Sequence, residues 1–138
     1  MDDLMQFLRD RLDEDESVAR TAGGGSTDGL RWLDHGSESG LVSDDAGMMV
    51  THKPSTDDEH AAHIARHDPA RVLREVEAKR QIIDRHQPGT TEHVDGDVCM
   101  VCEVRGDGPY YPCATVRLLA LPYVDHPDHP DYRDPWRP

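Results

Sequence analysis

The sequence predicts a helix-rich α+β fold. Apolar residues recur at helical spacing near the N-terminus and again from residue 69 to 86. The stretch between them breaks into short glycine-punctuated runs, and three cysteines gather just after the second helix. The chain has 138 residues, 36% hydrophobic, 5% aromatic and 31% charged. That is room for one domain, or one domain with arms. Apolar side chains are scarce and clumped, so a core of this size gains from an added staple.

Residues 1–22 form the first segment, an amphipathic helix. Leu4, Leu8 and Leu12 repeat every four residues with Met5 beside them, which gives one apolar stripe over Asp2 to about Arg20. Asp2 and Asp3 stand where a helix N-terminus favours acid, and Asp13-Glu14-Asp15-Glu16 reads as a solvated face. Residues 23–54 form a Gly-rich link and a small antiparallel meander. Gly23-Gly24-Gly25-Ser26 breaks the helix; without a preceding strand or a following Gly-Lys-Ser/Thr it is no phosphate loop. The meander runs are Leu30–Leu33, Leu41–Ser43 and Met48–His52, divided by Gly36, Gly40 and Gly47. Trp32 is its expected anchor.

Residues 55–125 form the helical core. Ser55 with Asp58 resembles a capping box for a short helix to about Arg66. Asp68-Pro69 then has N-cap and first-turn chemistry. Val72, Leu73, Val76, Ile83 and His86 keep helical spacing, and Glu75 with Lys79 forms an i,i+4 pair. Pro88-Gly89 stops this helix, and a last one is expected over Cys113–Leu121. Residues 126–138, with the repeat His126-Pro127-Asp128-His129-Pro130-Asp131, read as an extended arm in which proline prevents regular pairing. Tyr132 and Trp136 are positioned to dock it.

Cys99-Met100-Val101-Cys102 is a Cys-x-x-Cys pair, and Cys113 follows a loop of Gly106, Asp107, Gly108 and Pro109. Two cysteines so spaced can turn both sulfurs onto one ion, and zinc takes four thiolate or imidazole ligands tetrahedrally. Cys99, Cys102 and Cys113 with His86 complete such a shell and leave no position for water, which describes a structural zinc knuckle joining the long helix to the next. His86 is preferred as fourth ligand because the helix fixes its ring direction; His93, in a polar stretch, and His126 are the alternatives. A redox Cys-x-x-Cys pair lacks its usual βαβ setting, while three unrelated buried thiols are the plainest alternative. His60, His63 and His67 share a helix face, and His63 and His67 have metalloprotease-like spacing. Ile64 stands where the glutamate base belongs, so a polar face is expected there rather than a second metal site.

The segment His63-Ile64-Ala65-Arg66-His67-Asp68-Pro69, continuing through Val72–Arg80 to His86, resembles a family of short actinobacterial and actinophage proteins classed as a domain of unknown function. The likeness resumes at Cys99-x-x-Cys102, Tyr111-Pro112-Cys113 and Leu118–Tyr123, and runs through Asp125-His126-Pro127 to Tyr132 and Trp136. It also covers the opening helix, but not Thr21–Pro54. The resemblance implies that the three cysteines and the helix-ending histidine belong to the family pattern, and a phage or mobile-element association. It implies no activity.

A net charge of −13 repels phosphate backbones and favours a partner with a basic surface. The leading expectation is a non-enzymatic, zinc-binding interaction or regulatory protein. The alternative is a zinc module that binds nucleic acid through Arg66, Arg71, Arg74, Lys79 and Arg80, or an acidic mimic of nucleic acid. No catalytic constellation stands out. No apolar run approaches the roughly 18 residues of a membrane span, and the acidic start lacks signal-peptide character. Three cysteines cannot all pair, and thiolate ligands suit a reducing compartment, so the expected location is the cytoplasm.

Overall fold

The computed structural model describes residues 2–25, 27–36, 40–51, 58–103 and 108–130. In chain order its elements are α1 (Asp2–Ala22), β1 (Trp32–Asp34), β2 (Val42–Asp44), α2 (Asp58–Arg66), α3 (Pro69–Arg85), β3 (Pro88–Gly89), β4 (Val98–Cys99), α4 (Ala114–Ala120) and a 3-10 turn, Leu121–Tyr123. Four helices with two small antiparallel sheets make the predicted helix-rich α+β fold. Among the described residues no helix is long and apolar enough to cross a membrane. The chain divides into two compact units, residues 1–12 with 78–138, and residues 13–77, the division falling inside α1 and α3.

In the first unit the expected leucine stripe is buried: Leu4, Leu8 and Leu12 are at most 1% exposed. Ile83 of α3, Val98 of β4 and Val116 and Ala120 of α4 are buried in the same unit. Phe7 meets the rings of Tyr123, His126 and His129 edge-on at centroid distances of 6.3, 5.8 and 5.1 Å, a geometry that sets ring edges against a ring face. Lys79 lies over the Tyr123 ring, its Nζ 5.6 Å from the centroid. Residues 126–130 fold into turns, with the His126 and His129 amides donating to the carbonyls of Tyr123 and His126. The arm beyond Pro130, with Tyr132 and Trp136, lies outside the described residues, as does Ser55 of the expected capping box.

In the second unit β1 and β2 pair with Leu33 opposite Ser43. The third expected run, whose last residue His52 lies outside the described residues, returns along β2 through a bridge of Met49 with Ser43 and hydrogen bonds from the Asp44 amide to the Met48 carbonyl and from the Val50 amide to the Val42 carbonyl. The turn between has Gly47 at φ +87° and Asp44 Oδ1 accepting from the Met48 amide. α2 packs on both strands. Trp32 is only half-buried, and its indole Nε1–H is enclosed with no acceptor among the described residues. Asp68 caps α3 as expected, its Oδ1 accepting from the Arg71 amide at 2.7 Å. The expected Glu75–Lys79 pair is replaced: Glu75 takes Arg71, one turn earlier, at 2.7 Å, while Lys79 turns to Tyr123. Arginine's planar fork suits a carboxylate better than a lysine that has an aromatic face within reach.

Candidate metal centre

α3 runs out where Pro88 denies it a further amide. His86 sits one residue past its end, with its N–H shared between the carbonyls of Ile82 and Ile83, each at 3.1 Å. Two residues on, the chain pairs: Pro88 lies opposite Cys99 and Gly89 opposite Val98. The Met100 amide donates to the Gln87 carbonyl at 3.2 Å. This short ladder sets Cys99 beside the helix end that carries His86. Residues 99–103 then form a tight turn, closed by the Glu103 amide on the Cys99 carbonyl at 2.8 Å, and the turn brings Cys102 round to the side of Cys99.

The third cysteine returns through a further strand-like contact. Val98 bridges Tyr110, the Cys99 amide donates to the Pro109 carbonyl, and the Tyr111 amide donates to the Asp97 carbonyl. Cys113 follows in extended conformation (φ −71°, ψ 168°) as the N-cap of α4. Its side chain makes no capping hydrogen bond to the helix; its sulfur belongs to the cluster instead.

His86, Cys99, Cys102 and Cys113 therefore lie close together, with all four potential ligand atoms within 4.8 Å of one another. The Nδ1 of His86 is 3.4 Å from the Cys99 sulfur and 3.5 Å from those of Cys102 and Cys113. One ring nitrogen carries a single proton or a single lone pair, so it cannot hydrogen-bond three sulfurs at once. The cluster is one that could hold a metal ion. Cys99 and Cys113 are buried, while Cys102 and His86 are half-buried.

The metal-free thiols are unlike one another. Burial and the neighbouring sulfurs of Cys99 and Cys113 push the Cys102 thiol up to about 11. Burial opposes ionisation of Cys99 too, but backbone groups of Cys102 and Val101 hydrogen-bond its sulfur and hold its pKa below the ordinary thiol value. Backbone amides directed at the first sulfur of a Cys-x-x-Cys turn prepare it to be a thiolate.

Of the three histidines weighed as fourth ligand, His86 is the one whose ring meets the sulfurs. His93 is exposed, and His126 packs against Phe7 and hydrogen-bonds Arg11. His63 and His67 stack with ring centroids 4.3 Å apart, but His67 directs its Nδ1 at the His63 carbonyl, 2.9 Å away. Among the described residues they join no second group of three potential ligands. The sequence reading missed the β3–β4 ladder and the Tyr110 bridge; the available signal was Pro88-Gly89, read only as a helix stop.

The profile of a family of unknown function, DUF6221, matches residues 1–138. The chain belongs to that family. No curated protein and no solved structure matches this DUF6221 chain. The four clustered side chains are thus the chemistry this DUF6221 member offers, and its reading rests on their geometry.

Proposed function

We propose that the chain is a non-enzymatic, cytoplasmic interaction protein stapled by one structural zinc ion, with His86 Nδ1 and the sulfurs of Cys99, Cys102 and Cys113 as ligands. The observation that carries this is the equal spacing of one nitrogen from three sulfurs, 3.4–3.5 Å. Zinc bonds of about 2.3 Å to sulfur and about 2.0–2.1 Å to nitrogen, arranged tetrahedrally, imply an N···S edge of about 3.5 Å. Three thiolates with one imidazole suit zinc over the harder oxygen-seeking cations. Four protein ligands leave no position for a reacting water, which favours a structural role over a catalytic one. The net charge of −13 favours a partner with a basic surface.

The test is metal content followed by metal removal. Native mass spectrometry of protein purified without added metal should find one zinc per chain. The metal's binding energy is then folding energy. Cys113→Ser should cost more than about 4 kcal/mol and disorder the end of α3 and the start of α4 together. A chelator should produce the same loss in a thermal melt. A folded, metal-free chain would sink the reading. A mutant that keeps its melting temperature while losing an assayable activity would mark the site as catalytic.

A further inference from the structure

In the unit of residues 13–77 a cavity of about 330 Å³ opens between the end of α1 and the β1–β2 hairpin. Its walls are mostly apolar: Trp32, Met48, Met49 and Val50. Met48 is 70% exposed and Met49 41%. Methionines at such a rim are flexible and adapt to the side chain they meet. The volume is at the lower end of the range that encloses small ligands, about 300–1,000 Å³, and holds one large side chain with its neighbours outside.

The remaining lining is electronegative. Asp44 contributes a carboxylate, and Thr21 and Ala22 bring the C-terminal end of α1 to the same wall. The Gly23, Gly24 and Gly25 amides cap the carbonyls of Ala19, Thr21 and Arg20 there, so the negative charge of this wall is chiefly that of Asp44. In sequence, the segment Asp13–Glu77 that contains this lining carries 15 Asp and Glu against 6 Lys and Arg, most of the net charge of the whole chain. A second copy of the chain would bring like charge to like charge, and an anionic membrane or nucleic acid would do the same.

We infer that the cavity between the α1 C-terminus and the Met48–Val50 segment is a docking site for a basic partner protein, taking a bulky apolar side chain flanked by lysine or arginine. The apolar side chain fills the space between Trp32 and the two methionines. The flanking cation lies toward Asp44. Charge brings the partner in and the apolar walls select the residue that enters. This deepens the basic-partner part of the proposed function and is independent of the metal.

The experiment uses the full chain with its metal, labelled with carbon-13 at the methionine methyls. Three peptides are titrated: lysines flanking a Leu-Phe pair, the same peptide with serines replacing that pair, and one with glutamates replacing the lysines. The first should shift the Met48 and Met49 methyls and leave Met5 and Met100 in place, and the other two should not. Asp44→Asn keeps an oxygen for the Met48 amide, and Met48→Ser removes an exposed side chain. Together they should weaken the first peptide by about tenfold or more with the rest of the spectrum unchanged. Equal binding of the serine peptide, or no effect of the double substitution, overturns the inference. Shifts centred on Met100 place the basic partner at the knuckle and overturn the cavity alone. No shift with any peptide overturns both the cavity and the basic partner, leaving zinc to be judged by metal content.

Discussion

A neutral imidazole has one lone pair to offer, and at His86 three sulfurs stand around it at nearly the same distance. Protons compete with a metal for every one of these atoms, so affinity depends on pH in a direction that can be worked out. In the metal-free chain the Cys102 thiol titrates at about 11, so at neutral pH it is protonated and must lose that proton on binding. Affinity for zinc should fall with falling pH, by roughly tenfold per unit for each proton displaced. Competition with a colorimetric chelator between pH 6 and 8 measures the slope, and a flat profile would contradict thiolate ligation. That these four side chains would gather was legible in the sequence because sulfur and imidazole at these spacings have few other uses. What was not legible is how Cys102 and Cys99 differ, since that depends on backbone groups aimed at one sulfur and on a cluster of thiols around the other.

At the scale of elements, legibility followed period and punctuation. α1 announces itself through Leu4, Leu8 and Leu12, and α3 through Asp68-Pro69 at one end and Pro88 at the other. Two-residue strands have no period to read, so β3 and β4 were invisible, although their pairing is what sets Cys99 beside His86. The choice of Arg71 over Lys79 by Glu75 was hidden for a related reason: it depends on Tyr123, far along the chain. Asp68 gives the sharpest test here. Its Oδ1 caps α3 through the Arg71 amide, and its Oδ2 lies 3.4 Å from the Trp32 amide. Asp68→Ala should destabilise the protein by about 1–2 kcal/mol, read as a lower urea midpoint at unchanged slope. Asp68→Asn should recover most of the loss, since it keeps an acceptor oxygen.

For the whole molecule, charge decides more than shape. With a net charge of −13 the counterion release that drives duplex binding has little to work with. No appreciable affinity for duplex DNA is therefore expected at physiological salt. A salt-dependent gel shift at micromolar protein would overturn this and raise the nucleic-acid reading above the interaction one. The acidity was plain from composition alone. The cavity beside Trp32 was not, because its walls come from a helix end, two strands and a turn that no local pattern connects.

The first unit is assembled from two separated stretches of chain, residues 1–12 and 78–138, yet its four clustered side chains all come from the second, between His86 and Cys113. Closing loops this short costs little chain entropy, and the cost rises only slowly with length. Bringing Phe7 against His129 spans almost the whole sequence. The gathering of the four side chains is therefore a local property, written in one continuous piece of chain, whereas the resistance of the surrounding unit to unfolding is a long-range one. A substitution at Phe7 touches none of the four side chains, yet because a bound ion's energy would be folding energy it should lower thermal stability and the capacity to hold an ion together.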